Sequence, residues 1–150
     1  MEFDSKNLTP NFRSNPHTTY SLGEWAILIN NWAISKGWNE HLAPGEQFAN
    51  FHAEISEAWE EWRGGKDWKE VYYNWGLCNC GLTPEHISTL ELHTPGCPAT
   101  KPEGIPIELA DCVIRILHTC GYYGIDLEEM IKKKMGYNET REHRHGGKKA

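Results

Sequence analysis

The sequence predicts an all-α protein, and three observations carry that prediction. Apolar residues recur at helical spacing in four separate stretches, helix start and stop signals bracket those stretches, and no run alternates apolar and polar residues over a useful length. Ser21-Leu22-Gly23-Glu24 opens the first stretch as a capping box, and Trp25, Ile29, Trp32 and Lys36 follow until Gly37 stops the run. Pro44 opens the second, where Phe48, Phe51, Ile55, Trp59 and Trp62 form an apolar stripe that ends at Gly64-Gly65. Glu54, Glu57 and Glu61 run beside this stripe, which places them at the edge of the expected buried face. Asp67 to Trp75 reads as a short helix, after which the pattern breaks. Residues 76–104 carry Cys78-Asn79-Cys80-Gly81 and a Pro- and Gly-rich run from His93 to Gly104, the signature of an irregular insertion. Pro106 starts the third helix, which runs to Gly121. Ile107, Leu109, Ala110, Val113, Ile114, Ile116 and Leu117 cover about half its circumference, and Glu108, Asp111, Arg115 and His118 share the rest. Asp126-Leu127-Glu128-Glu129 caps a fourth helix running towards Gly136.

A chain of 150 residues fits one domain, here read as 1–150 with an N-terminal arm (1–20) rich in Asn, Ser, Thr and Pro, the insertion (76–104) and a basic C-terminal segment (137–150). The formal charge of -6 and pI near 5.7 argue against a general nucleic-acid binder. Positive charge gathers instead near the end, at Lys132, Lys133, Lys134, Arg141, Arg144, Lys148 and Lys149. The chain opens Met1-Glu2-Phe3-Asp4, without a charged start leading into an apolar run, and no stretch approaches the length of a membrane span. Five cysteines, two of them within an apolar helical pattern, do not make a disulfide framework. The expectation is a soluble, cytoplasmic protein that binds neither membrane nor nucleic acid.

Chemistry concentrates in two acidic motifs, Glu54-Ile55-Ser56-Glu57 and Glu108-Leu109-Ala110-Asp111. Each pair is spaced i, i+3, so each helix presents two carboxylates on one face about a turn apart. Like charges crowded between helices repel and lose solvation, a cost normally tolerated where divalent cations neutralise them. Either motif alone is commonplace on a solvated helix, whereas the two together, on apolar helices and followed by basic residues, point to a metal site.

Those motifs, with Lys134-Met135-Gly136-Tyr137-Asn138 and the run from Glu139 through Arg141 to Lys148, resemble the MazG-like nucleoside triphosphate pyrophosphohydrolases over residues 21–63 and 104–148. The resemblance implies a helical bundle of about four main helices, a homodimer or homotetramer, Mg²⁺ or Mn²⁺ (two or more ions) on Glu54, Glu57, Glu108 and Asp111, and hydrolysis of a nucleoside triphosphate to monophosphate and pyrophosphate. Glu57, then Glu61, is the expected proton acceptor. Lys134, Arg141 and Lys148 are expected on phosphate oxygens, Asn138 on a phosphate or the sugar, and Trp59 against the base. Compact size resembles phage members of the MazZ type, which act on dATP and dGTP, and favours a purine deoxynucleotide over pyrimidine or other nucleotides; a phage origin would place the enzyme in the host cytoplasm. Where many relatives carry a further Glu, this chain has Phe51-His52-Ala53 before Glu54. Within the insertion, Cys78, Cys80, His93 and Cys97 have the ligand types of a closed structural zinc site, with His86 as a substitute, against thiols in a loop. A zinc-stapled helical module that binds a basic partner without catalysis is the competing class.

Overall fold

The computed structural model describes residues 19–38, 43–73, 97 and 101–142. Helix α1, Leu22–Ser35, begins as its sequence demands: the Ser21 hydroxyl accepts from the Glu24 N–H at 3.2 Å, and the Glu24 carboxylate accepts from the Ser21 N–H at 2.7 Å. It ends in a Schellman motif around Gly37, whose φ of 78° lets the Trp38 N–H reach the Ala33 carbonyl at 3.0 Å. Helix α2, Pro44–Arg63, stops by the same device. Gly65 takes φ 87° and the Lys66 N–H donates to the Glu61 carbonyl at 3.2 Å.

Helix α3 is Ile105–Tyr123 and helix α4 Leu127–Glu139. About 70 % of the described residues are helical, against one ladder of two residues per strand, so the class is all-α. Strand β1, Tyr72–Tyr73, pairs antiparallel with β2, Pro102–Glu103, Tyr72 opposite Glu103. Over residues 67–73 this corrects the short helix expected from Asp67 to Trp75, the last two residues of which lie outside the described residues. Asp67 accepts from the Lys69 N–H at 2.9 Å in a local turn, and the Val71-Tyr72-Tyr73 run that follows is β-favouring and extends to meet β2. The α4 helix, expected to run towards Gly136, ends at Glu139, with Tyr137 and Asn138 in its last turn.

Two compact units divide the chain, one of Met1–Leu42 with Ile116–Ala150 and one of Ala43–Arg115. In the first, Ala26, Ile29, Leu117 and Cys120 form a buried cluster, with Leu22, Trp25, Ile116 and Leu127 packed on it. Gly121 is required there, since a Cβ would come within 2.5 Å of the Ala26 carbonyl oxygen. Asp126 caps α4 by accepting from the Glu129 N–H at 2.9 Å. Among the described residues no helix is long and apolar enough to cross a membrane.

The second unit overturns the expected orientation of two helices. On α2 the buried residues are Gln47, Glu54 and Ala58, while Phe48 is 63 % exposed and Trp59 54 % exposed, with Ile55 and Trp62 also open. On α3, Ile105, Glu108 and Cys112 are buried and Leu109 and Val113 exposed. Each helix therefore turns an acidic residue inward and leaves part of its apolar stripe outside. The Cys112 thiol, donating to the Phe51 carbonyl of α2 at 3.8 Å, marks where the two buried faces meet.

Candidate metal centre

Helix α2 supplies Glu54 and Glu57 one turn apart, and α3 supplies Glu108 in its first turn. Their carboxylate oxygens lie within 4.8 Å of one another. Oxygens sharing one Mg²⁺ at 2.0–2.1 Å stand about 3–4 Å apart, a spacing of the same order. Glu54 is 4 % and Glu108 3 % exposed. Asp111, half-buried on the next turn of α3, lies outside the trio but within its field.

Electrostatics single out Glu108. Burial first, then the charges of Glu57, Asp111 and Glu103, push its pKa up to about 7, with Lys101 opposing. The α3 N-terminus favours a carboxylate by about 0.3–1 kcal/mol. An upward shift of that size corresponds to about 3 kcal/mol, so burial and repulsion outweigh the helix end. Asp111 is also raised, by burial and then by Glu54. Glu54, Glu57 and Glu108 offer hard oxygen donors, the ligand type that could hold a divalent cation such as Mg²⁺ or Mn²⁺.

Arg115 contacts one member of the trio, while Tyr72 and Lys101 bond to other carboxylates of the same unit. The Arg115 Nε donates to Oε1 of Glu54 in an ion pair. The Tyr72 hydroxyl donates to Glu61, at 3.0 Å from Oε1, and Lys66 sits 3.8 Å from the centre of the Tyr72 ring. Burial and the Glu61 bond push the Tyr72 pKa up to about 12. Lys101 pairs with Glu103 at 3.1 Å, which raises its pKa, as do the charges of Glu108 and Glu57.

A scan against protein-family models, a search of curated proteins and a search of solved structures return no match.

The remaining expected site residues fall in different places. Trp59 stacks on Trp62, ring centres 4.8 Å apart at 23°, but on the outward face of α2, about 140° around the helix from Glu54. Lys134, Asn138 and Arg141 belong to the other unit. There Lys134 and Arg141 both lie over the Tyr137 ring, at 5.3 and 5.9 Å from its centre, and the Asn138 amide sits 3.9 Å from the Met135 sulfur. Lys148, Cys78, Cys80 and His93 lie outside the described residues, and Cys97 is buried. Sequence reading left Lys101 and Tyr72 unassigned. Neither has a periodic signal, because Tyr72 lies in a strand of two residues and Lys101 in the chain beside one; Lys101 acts on Glu57 and Glu108 by its charge, and Tyr72 bonds Glu61. Arg115 did have one, four residues beyond Asp111 and seven beyond Glu108 on the same helix.

Proposed function

We propose that this chain is a MazG-like, divalent-cation-dependent pyrophosphohydrolase that converts a nucleoside triphosphate to its monophosphate and pyrophosphate. The observation that carries the reading is the trio Glu54, Glu57 and Glu108, drawn together from two helices with two of its members buried. Asp111 completes the expected ligand set from the adjoining turn. A bound Mg²⁺ or Mn²⁺ would lower the pKa of a coordinated water and offset charge on the pyrophosphate leaving group. The chain's own part is proton transfer and positioning. As water oxygen bonds to the α-phosphorus, its proton passes to Glu57, which is exposed at the rim, while the bridging P–O bond to the β-phosphate breaks. Glu61 suits the base role less well, since both its oxygens accept from the Tyr72 hydroxyl, at 3.0 and 3.2 Å.

Lys134, Asn138, Arg141 and Lys148 are assigned to phosphate and sugar on the resemblance alone, and Trp59 to the base. A purine deoxynucleotide, dGTP or dATP, is the favoured substrate on the same ground. Homodimer or homotetramer assembly is supported by the open apolar face of α2. Zinc on Cys78, Cys80, His93 and Cys97 is a separate proposal, and metal analysis of the purified protein tests it.

The deciding experiment incubates the protein with the common ribo- and deoxyribonucleoside triphosphates, with Mg²⁺ and with Mn²⁺, and scores monophosphate and pyrophosphate. Turnover is expected, with Glu57→Gln slower by about 10²–10⁴-fold. Absence of turnover on every triphosphate overturns the reading in favour of a non-catalytic module.

A further inference from the structure

Among the described residues, Glu54 is the member of the trio with a cation in direct contact. Its carboxylate is nearly inaccessible, and the Arg115 Nε donates to Oε1, whereas the Arg115 side chain is 44 % exposed. The contact joins α2 to α3 within one unit, and it arises from the same helical register that places Glu108 and Asp111 two turns and one turn before Arg115. A carboxylate has two oxygens, so a bond to one constrains the plane of the group without consuming the other. The guanidinium is suited to that task because its donors are fixed in a planar fork, while a lysine ammonium is a rotating point charge.

We infer that Arg115 is a positioning residue of the cation site: by holding Oε1 of Glu54 it fixes that carboxylate in the orientation that brings Glu54, Glu57 and Glu108 together. This rests on the metal-site reading above and deepens it by naming what orients the buried ligand. Groups that orient metal ligands typically change metal affinity by 10–100-fold when replaced, without touching the ion. An opposite expectation also exists. If Arg115 merely occupies the place of the cation, removing its charge relieves repulsion and binding tightens.

Arg115→Lys separates the two, because it keeps the charge and removes the fork. The test measures binding of Mn²⁺ alone, by titration calorimetry or electron paramagnetic resonance, for wild type, Arg115→Lys, Glu54→Gln and the double variant, with circular dichroism checking the fold. Arg115→Lys is expected to bind Mn²⁺ about tenfold more weakly than wild type. In the Glu54→Gln background the same change is expected to have no further effect, since Arg115 acts through Glu54. Unchanged or tighter binding in Arg115→Lys overturns the inference, and so does an equal loss in both backgrounds. Should the lysine variant not fold, Arg115→Gln serves in its place, with weaker binding again expected and equal binding decisive against. Wild type that binds no Mn²⁺ overturns the metal-site reading as well, whereas wild type that binds with Arg115→Lys unaffected removes only the role of Arg115.

Discussion

Glu108 concentrates the electrostatic problem of this chain in one side chain. Its pKa is raised from 4.5 to about 7, so between those values the folded state holds a proton that the unfolded state has released. Stability therefore falls as pH rises through this window, by about 3 kcal/mol across it, and the favourable contribution is fully present only below about 4.5. Urea denaturation at pH 5 and pH 8 should show this loss in the wild type and a much flatter response in Glu108→Gln. Added Mn²⁺ should restore wild-type stability at pH 8 and do far less at pH 5, because the ion binds the carboxylate and competes with the proton. A wild type whose stability does not fall between the two pH values would contradict the assignment of Glu108 as a buried, repelled acid.

Among the elements, the two-residue ladder and the helix that follows it depend on a glycine in a way that α4 does not. Gly104 takes φ 116°, and a Cβ there would overlap the Glu70 carbonyl oxygen; its own carbonyl receives the Ile107 N–H at 2.8 Å as α3 begins. Gly104→Ala should therefore cost about 2–4 kcal/mol and disturb the start of the helix that carries Glu108. Gly136 is an interior residue of α4 with nothing within 4 Å of a Cβ. Gly136→Ala should stabilise the protein by about 0.5–1 kcal/mol, through helix propensity alone. Thermal denaturation of both variants checks the contrast, and an unaffected Gly104→Ala would show that the loop between β2 and α3 adapts. The outward turn of α2 belongs here too. Apolar spacing located the helix but named the wrong face, because Phe48, Ile55, Trp59 and Trp62 outweigh Glu54 in any count of hydrophobicity. The buried Glu54 pairs with Arg115, 61 residues away, a contact that offsets part of the cost of burying its charge.

For the molecule as a whole, the carboxylates belong to one unit and Lys134, Asn138 and Arg141 to the other, so the assignment of phosphate contacts to those residues is a proposal about how the chain works with its substrate. Assembly offers an independent check. Sedimentation velocity should give a mass two or four times the 17.2 kDa of one chain, and a monomer would remove the oligomeric part of the MazG-like reading.

Helix number, caps and stops were legible in the chain because they are local: a capping box, a proline in a first turn and glycines just past the helix ends act within about five residues of where they are written. That each acidic motif sets two carboxylates on one helix face was legible for the same reason, since i, i+3 spacing on a helix needs no tertiary information. Which face of α2 and α3 is buried, that Glu108 joins Glu54 and Glu57, and that Arg115 pairs with Glu54 while the charge of Lys101 acts on Glu57 and Glu108 were settled by packing. Burying a charge is decided by what neutralises it, and for Glu54 that group lies on another helix: local spacing puts Arg115 on the acidic face of α3, but only packing brings it to Glu54.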